Sequence, residues 1–209
     1  MQSPDTTHAY NCVADEYALR IYDELKDKPF DREMLNRLAE GMPSGGTACD
    51  LGCGPGQVAR HLRDRGARVI GLDLSTGMLV QAMRLNPGIP FAAGDMLALP
   101  VADGSLAAIA AFYSIIHLLP HQHIPAFREM HRVLAPGGKL LVSFHIGEET
   151  RHLDEWWGHN VSIDFQFLMP QTIAETMATA GFAIDGVIER EPYPEVEHPS
   201  RRAYILATR

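Results

Sequence analysis

Basic residues are scarce in this chain: 18 lysines and arginines stand against 26 aspartates and glutamates, a net charge of −8 with the histidines neutral. A sequence-independent grip on a phosphate backbone needs clustered Lys and Arg, so nucleic acid is not an expected partner. Long apolar runs are missing too. The longest, 106–119, falls short of the roughly 20 residues that cross a bilayer. The start, 1–10, is polar and lacks a basic stretch leading into an apolar one, so neither a membrane anchor nor a secretory leader is expected. These absences point to the cytoplasm.

Cysteine is also sparse. Cys12, Cys49 and Cys53 make no disulfide framework. Cys49 and Cys53 resemble half a zinc site, but no second pair follows and Cys49 sits in an apolar strand. Thiols packed in the core or a loop are the preferred reading. Of the ten histidines, His117, His121 and His123 flank Pro120 without an accompanying set of carboxylates. That run suits a helix start better than a ligand set, and no metal is expected.

What is present is an ordinary globular composition, 46% hydrophobic and 21% charged, with no low-complexity tract. Apolar and aromatic residues recur at helical spacing over 10–38, broken at Pro29, which predicts one or two helices ahead of the main domain. Strand and helix then alternate: strands over 47–51, 68–72, 90–93, 106–112 and 139–145, helices over 57–65, 75–85 and 124–134. Alternation implies crossovers and a parallel sheet. A further helix is predicted over 171–180, stopped by Gly181, then strands over 182–188 and 202–207. The short loop between these last two makes them an antiparallel hairpin. The whole is expected to be one α/β domain: 1–40 N-terminal helices, 47–145 core, 146–170 an insertion, 171–209 the terminal helix and hairpin.

The insertion breaks the rhythm and carries Trp156, Trp157 and Phe165 on the side where open α/β sheets bind ligands. It reads either as a surface excursion with its own aromatic cluster or as one wall of a substrate pocket.

The strongest local signal is CDLGCGPGQVARHL, 49–62, a strand entering a glycine-rich turn that opens a helix. Glycine there lets a ligand lie against the backbone where a Cβ would clash. Asp73 closes the second strand, where a carboxylate can accept both hydroxyls of a ribose. Asp95 closes the third, where a carboxylate can accept an adenine amine while the Met96 N–H faces a ring nitrogen. Taken singly, each aspartate serves equally well as a helix cap or turn residue.

With VIGLDLSTGML, FAAGDMLALP, AFYSIIHLLP and REMHRVLAPGGKLLVSFH following in order, the chain resembles the class I, Rossmann-like S-adenosylmethionine-dependent methyltransferases, particularly those acting on small molecules. The resemblance implies a seven-stranded sheet of order 3-2-1-4-5-7-6 with strand 7 antiparallel. It implies a cofactor, S-adenosyl-L-methionine, leaving as S-adenosyl-L-homocysteine. Asp50, Gly52, Gly54 and Gly56 would form the glycine turn around the methionine end; Asp73 would hold the ribose; Leu74 and Met78 would pack on adenine; Asp95 and Met96 would complete that site. The backbone near Phe112 would face the amino group. The N-terminal AYNCVADEYALRIYDEL is similar to the family's lid helix, with Tyr10 and Tyr17 near the sulfonium, to which aromatic faces are attractive; ordinary core packing of an amphipathic helix is the other reading.

Departures narrow the chemistry. Where enzymes that methylate base amines or glutamine amides carry an Asn/Asp-Pro-Pro-aromatic motif, this chain has Ala111-Phe112-Tyr113-Ser114, which argues against those acceptors. A nicotinamide-dependent dehydrogenase would need glycine where Gln57 stands. A non-catalytic cofactor-binding protein is the other alternative. Tyr113, Trp156, Trp157 and Phe165 are the candidates for binding the acceptor; Trp156, Trp157, Phe165 and Tyr17 offer aromatic area and no basic cluster, so a neutral or apolar-bodied small molecule is expected. His117, just past the fourth strand, is a candidate base or a packing residue, and His145 at the end of the fifth is a second candidate.

Overall fold

The computed structural model describes residues 4–209, so the first part of the polar start lies outside the described residues. Two helices, α1 (Pro4–Ile21) and α2 (Pro29–Gly41), precede the sheet, separated at Pro29, which occupies the first turn of α2 where a missing N–H costs nothing. The alternating core follows: β1 (Thr47–Leu51), α3 (Gln57–Asp64), β2 (Arg68–Asp73), α4 (Thr76–Leu85), β3 (Phe91–Ala93), β4 (Leu106–Phe112), α5 (His123–Val133) and β5 (Leu134–His145). Then come β6 (Thr150–Trp156), β7 (His159–Gln166), α6 (Pro170–Thr179), β8 (Ala183–Arg190) and β9 (Arg202–Thr208).

Seven strands form one sheet in the order β3-β2-β1-β4-β5-β9-β8, with β6 and β7 as a separate pair. With that inserted pair set aside, the order is the 3-2-1-4-5-7-6 expected from sequence. β9 runs antiparallel to both of its neighbours. β4 shows why the sheet is covered on both faces. Ile109 and Ala111 pack with the α5 and α6 side, Ala108 and Ala110 with the α2 and α3 side, as the two-residue repeat of a strand dictates.

Two segments differ from expectation. β5 begins at Leu134, ahead of the Pro136-Gly137-Gly138 turn, because Leu134 already pairs with Leu106 before the register jumps to Ala108 and Lys139. The insertion, to which the sequence reading assigns no element, is a hairpin: β6 and β7 pair from Thr150–Gln166 to Trp156–His159. Trp157 and Gly158, both at positive φ (54° and 83°), form the two-residue turn, a geometry whose twist matches paired strands. Among the described residues, no helix is long and apolar enough to cross a membrane.

Candidate active site

The carboxyl ends of β1, β2 and β4 open into one cavity beneath α1, lined among others by Asp50, Gly52, Gly54, Asp73, Leu74, Met78, Met96 and Phe112. The turn after β1 is held by the second strand: Gly52 and Cys53 both donate to the Leu72 carbonyl, and the Gly54 N–H donates to Asp73 Oδ2 at 2.8 Å. The other oxygen, Asp73 Oδ1, accepts from the Ser75 N–H at 2.8 Å. A carboxylate has about four acceptor sites, so Asp73 keeps lone pairs for a diol in the cavity. Its burial pushes its pKa up, partly offset by these backbone donors.

The glycines divide into two roles. Gly54, at φ +52°, has only Tyr17 Cε1 near a virtual Cβ, at 3.8 Å, so its open side faces the cavity. Gly52 is bound by packing as well, because a Cβ there would lie 2.4 Å from Ser114 Cβ. Gly56 does not line the cavity. A Cβ on it would strike Asn86 Nδ2 and Phe91, and its left-handed backbone caps α3. Gly56 is therefore moved from the ligand set to packing.

Asp50 also has an unforeseen partner. Since Gly56 offers no side chain to cap α3, Asp50 Oδ2 accepts the Ala59 N–H at 2.8 Å from the end of β1. Burial raises its pKa to about 7. Asp95 lies beside the cavity and not on its wall; Oδ1 accepts the Leu97 N–H at 2.9 Å, a turn-residue geometry, while Gly94 and Met96 on either side reach the wall. The backbone at Tyr113 is held at φ +49° directly after Phe112, an uncommon conformation for a bulky residue, where the chain turns between two cavities.

α1 is fastened over this site by one side chain that sequence reading missed. Asn11 Oδ1 accepts the Gly77 N–H at 2.8 Å and the Ser75 hydroxyl at 2.7 Å, so α1 helps cap α4. Farther along, Gln81 donates to Asp15, and the Tyr22 hydroxyl donates to Asn86 Oδ1 at 2.8 Å. The helix expected over 75–85 starts one residue later, with Ser75 as its N-cap, and the Asn11 partner of Ser75 lies 64 residues away.

A second cavity, about 510 Å³, adjoins the first. Tyr10, Tyr17, Glu24 and Tyr113 line both. Its roof is the inserted hairpin, which brings Trp156, Trp157 and Phe165 against the lid helix: Trp156 meets Tyr10 at 5.3 Å and Tyr17 at 5.7 Å, edge to face. The aromatic residues of the insertion thus pack on α1 and face a cavity at the same time.

The two histidine candidates are separated. His117 lines the first cavity, His145 the second. His117 Nδ1 lies 3.0 Å from the Asp164 carbonyl, which can only accept, so Nδ1 carries the proton. Burial lowers the His117 pKa to about 4, leaving the ring neutral and Nε2 free to accept the Tyr10 hydroxyl at 2.8 Å. His145 Nδ1 meets Ser200 Oγ at 2.8 Å, and burial with the nearby Arg202, His198 and Lys28 charges lowers its pKa to about 3.

One expectation is overturned. The acceptor side is not without basic residues: Lys28, Arg151 and Arg202 line the second cavity with the aromatics. They come from the helical N-terminal part, the insertion and the last strand. Cys49 and Cys53 are buried thiols whose pKa values burial pushes up, Cys49 within the β-sheet core.

Residues 48–138 match a family described as a methyltransferase domain. The chain is 33% identical over 139 residues to a demethylmenaquinone methyltransferase of Beutenbergia cavernae, covering 66% of this chain and 54% of that protein. It is 32% identical over 150 residues to a malonyl-[acyl-carrier protein] O-methyltransferase of Pseudescherichia vulneris, covering 69% and 57%. The chain thus spans little more than half the length of these relatives. Among solved structures, a DhpI complex with SAH superposes with a TM-score of 0.75 at 21% identity, covering 97% of this chain and 94% of that one. A Methanosarcina mazei S-adenosylmethionine-dependent methyltransferase gives 0.72 at 16% identity, covering 81% and 95%; at such identities the likeness is one of fold. From the order of its motifs, the order of its strands and these matches together, the chain carries a methyltransferase domain with the class I, Rossmann-like fold of S-adenosylmethionine-dependent methyltransferases.

Proposed function

We propose that the protein is an enzyme that transfers a methyl group from S-adenosyl-L-methionine to a small-molecule acceptor held in the second cavity. The observation that carries this reading is the meeting of two cavities at Tyr10, Tyr17 and Tyr113: one with a glycine turn and a ribose-competent carboxylate, the other with aromatic walls and a volume in the range of small-ligand sites. The residues fit the cofactor. Gly54 leaves open the space that a Cβ would fill, Asp73 keeps free lone pairs, and the buried Ser114 hydroxyl on the same wall has no hydrogen-bond partner among the described residues.

Bound there, the cofactor supplies an electrophilic methyl on a sulfonium. The chain's part is to align the acceptor and exclude water, which provides much of the rate in an in-line displacement. Tyr10 and Tyr17 present ring faces and edges where the cavities join. The Tyr10 hydroxyl, hydrogen-bonded to His117, is placed to take up an acceptor proton while its own passes to Nε2. The free thiols fit a reducing compartment, supporting the cytoplasm as the place of work.

The test is S-adenosylhomocysteine release by the purified protein against a metabolite panel, beside calorimetry with S-adenosylmethionine, S-adenosylhomocysteine and nicotinamide dinucleotides. Heat with the sulfur ligands and none with the dinucleotides is the expected result. Binding without release for any acceptor would favour a non-catalytic cofactor-binding protein, and heat with a dinucleotide alone would overturn the reading.

A further inference from the structure

The C-terminal hairpin carries two arginines at its base, paired across β8 and β9, and their environments differ. Arg190 is fully engaged: its guanidinium donates to both oxygens of Glu197, at 2.7 and 2.8 Å, and to Asp31 Oδ1 at 2.8 Å, and its Nε donates to the Tyr204 hydroxyl oxygen at 3.0 Å. It does not line the second cavity. Arg202 does, and it is only 2% exposed.

The Arg202 donors are only partly used. Nη1 donates to the His198 and Ser200 carbonyls. Nε is ion-paired with Glu197 Oε1 at 3.1 Å but makes no hydrogen bond, and Glu197 is also bridged by Arg190 and takes the Tyr193 N–H at 2.8 Å. Nη2 has no partner among the described residues. The Nε and Nη2 groups form one edge of the guanidinium, the edge that a carboxylate grips with two parallel bonds. A buried guanidinium with unmet donors is costly in an apolar setting.

The neighbourhood favours an anion. Arg151, at the same cavity, has no carboxylate partner among the described residues; its guanidinium contacts His198 Nε2. Glu24 pairs with Lys28 at 2.5 Å, and Glu197 is shared between Arg190 at 2.7 Å and Arg202 at 3.1 Å, which leaves Arg151 as the cation without a carboxylate among the described residues. His145, which pairs with Arg202 across the strands, stays neutral beside it.

Ring contacts show that the cavity has two ends. Tyr10, Tyr17, Trp156 and Trp157 form one set at the junction with the first cavity. Tyr113, His145, Phe167 and His198 form another, next to Arg202.

We propose that the second cavity takes an acceptor bearing a carboxylate, gripped by the Nε–Nη2 edge of Arg202 with Arg151 beside it, while the apolar body of the molecule extends toward the Tyr10, Tyr17 and Trp156 rings. This rests on the acceptor cavity of the preceding section, but the grip is read from the cavity alone. Arg202 is a specificity-determining residue in this arrangement.

The protein supplies its own reporter, because Trp156 and Trp157 are its two tryptophans and both line this cavity. Intrinsic tryptophan fluorescence is titrated with benzoate, phenylacetate, 3-phenylpropanoate and 4-hydroxyphenylpropanoate, and with the amide of each. At least one acid is expected to bind tenfold or more tightly than its own amide, and the preference is expected to vanish in Arg202→Gln and weaken in Arg151→Gln. Arg202→Lys, which keeps the charge and loses the fork, is expected to retain the fold with a reduced preference. Equal binding of acid and amide throughout, absence of any acid binding, or a preference that survives Arg202→Gln would overturn the proposal. The wild-type comparison needs no variant to fold. The acids are titrated with and without S-adenosylhomocysteine, whose own binding is measured separately, so failure of the methyl-transfer reading is distinguished from failure of this one.

Discussion

The Tyr10 hydroxyl donates to His117 Nε2 at 2.8 Å, and the opposite ring nitrogen of His117 donates to the Asp164 carbonyl at 3.0 Å. A lid helix, the turn after β4 and the inserted hairpin are joined by one imidazole. In the proposed reaction His117 is a positioning residue for Tyr10, because it lines the first cavity and not the second.

Tyr10→Phe and His117→Ala are accordingly expected to lower turnover by a similar factor, on the order of 10²-fold for an acceptor that must lose a proton. The double variant should be no slower than the worse single one, because both remove the same unit. A cycle of kcat values checks this. Additive losses would show that the two residues act separately.

Asp73→Asn is expected to weaken S-adenosylhomocysteine binding by roughly 1.5–3 kcal/mol, the range for hydrogen bonds to a charged group. Asp73→Ala would also strip the Gly54 and Ser75 N–H groups of their acceptor, so it should lose stability as well. Calorimetry together with thermal unfolding separates the two effects. An unchanged dissociation constant in Asp73→Asn would leave Asp73 a cap and nothing more.

Gly54→Ala and Gly52→Ala should fail differently. The first places a methyl in open cavity space at φ +52°, costing about 1 kcal/mol of strain and weakening the cofactor more than the fold. The second drives a Cβ to 2.4 Å from Ser114 Cβ, so stability falls first. Unfolding midpoints read beside cofactor affinity test the contrast.

The His145 pKa is lowered to about 3 by burial and by the cationic Arg202, His198 and Lys28, with Glu197 pulling the other way. Between about pH 3 and 6.5 the unfolded chain binds more protons at this site than the folded one, so its contribution to stability rises with pH there and is lost as pH falls. Asp50, raised to about 7, contributes in the opposite sense over its own window. Comparing His145→Gln with wild type isolates one site: the variant should lose less stability between pH 6.5 and 5, by about 1 kcal/mol. Parallel pH profiles of the unfolding free energy would show that His145 is accessible to protons in the folded state.

The amino-acid sequence by itself determined the alternating strands and helices, the glycine turn after β1 and the place of Asp73 at the end of β2. These features depend on residues a few positions apart: a two-residue repeat, a helix stop, a turn that tolerates positive φ. Even the order of the sheet was readable through the motif series. Tertiary structure decided what those local rules cannot reach. Gly56 serves Asn86 and Phe91, and Asp50 caps a helix whose own N-cap has no side chain. The second cavity gained its cations in the same way: Lys28, Arg151 and Arg202 are scattered along the chain, and no periodicity relates them. Tyr10 and His117 are 107 positions apart, and only the crossovers of the sheet and the pairing of α1 with β7 bring them within hydrogen-bonding distance. Cavities form where distant segments converge, so their charge is fixed by packing and not by the composition of any one segment.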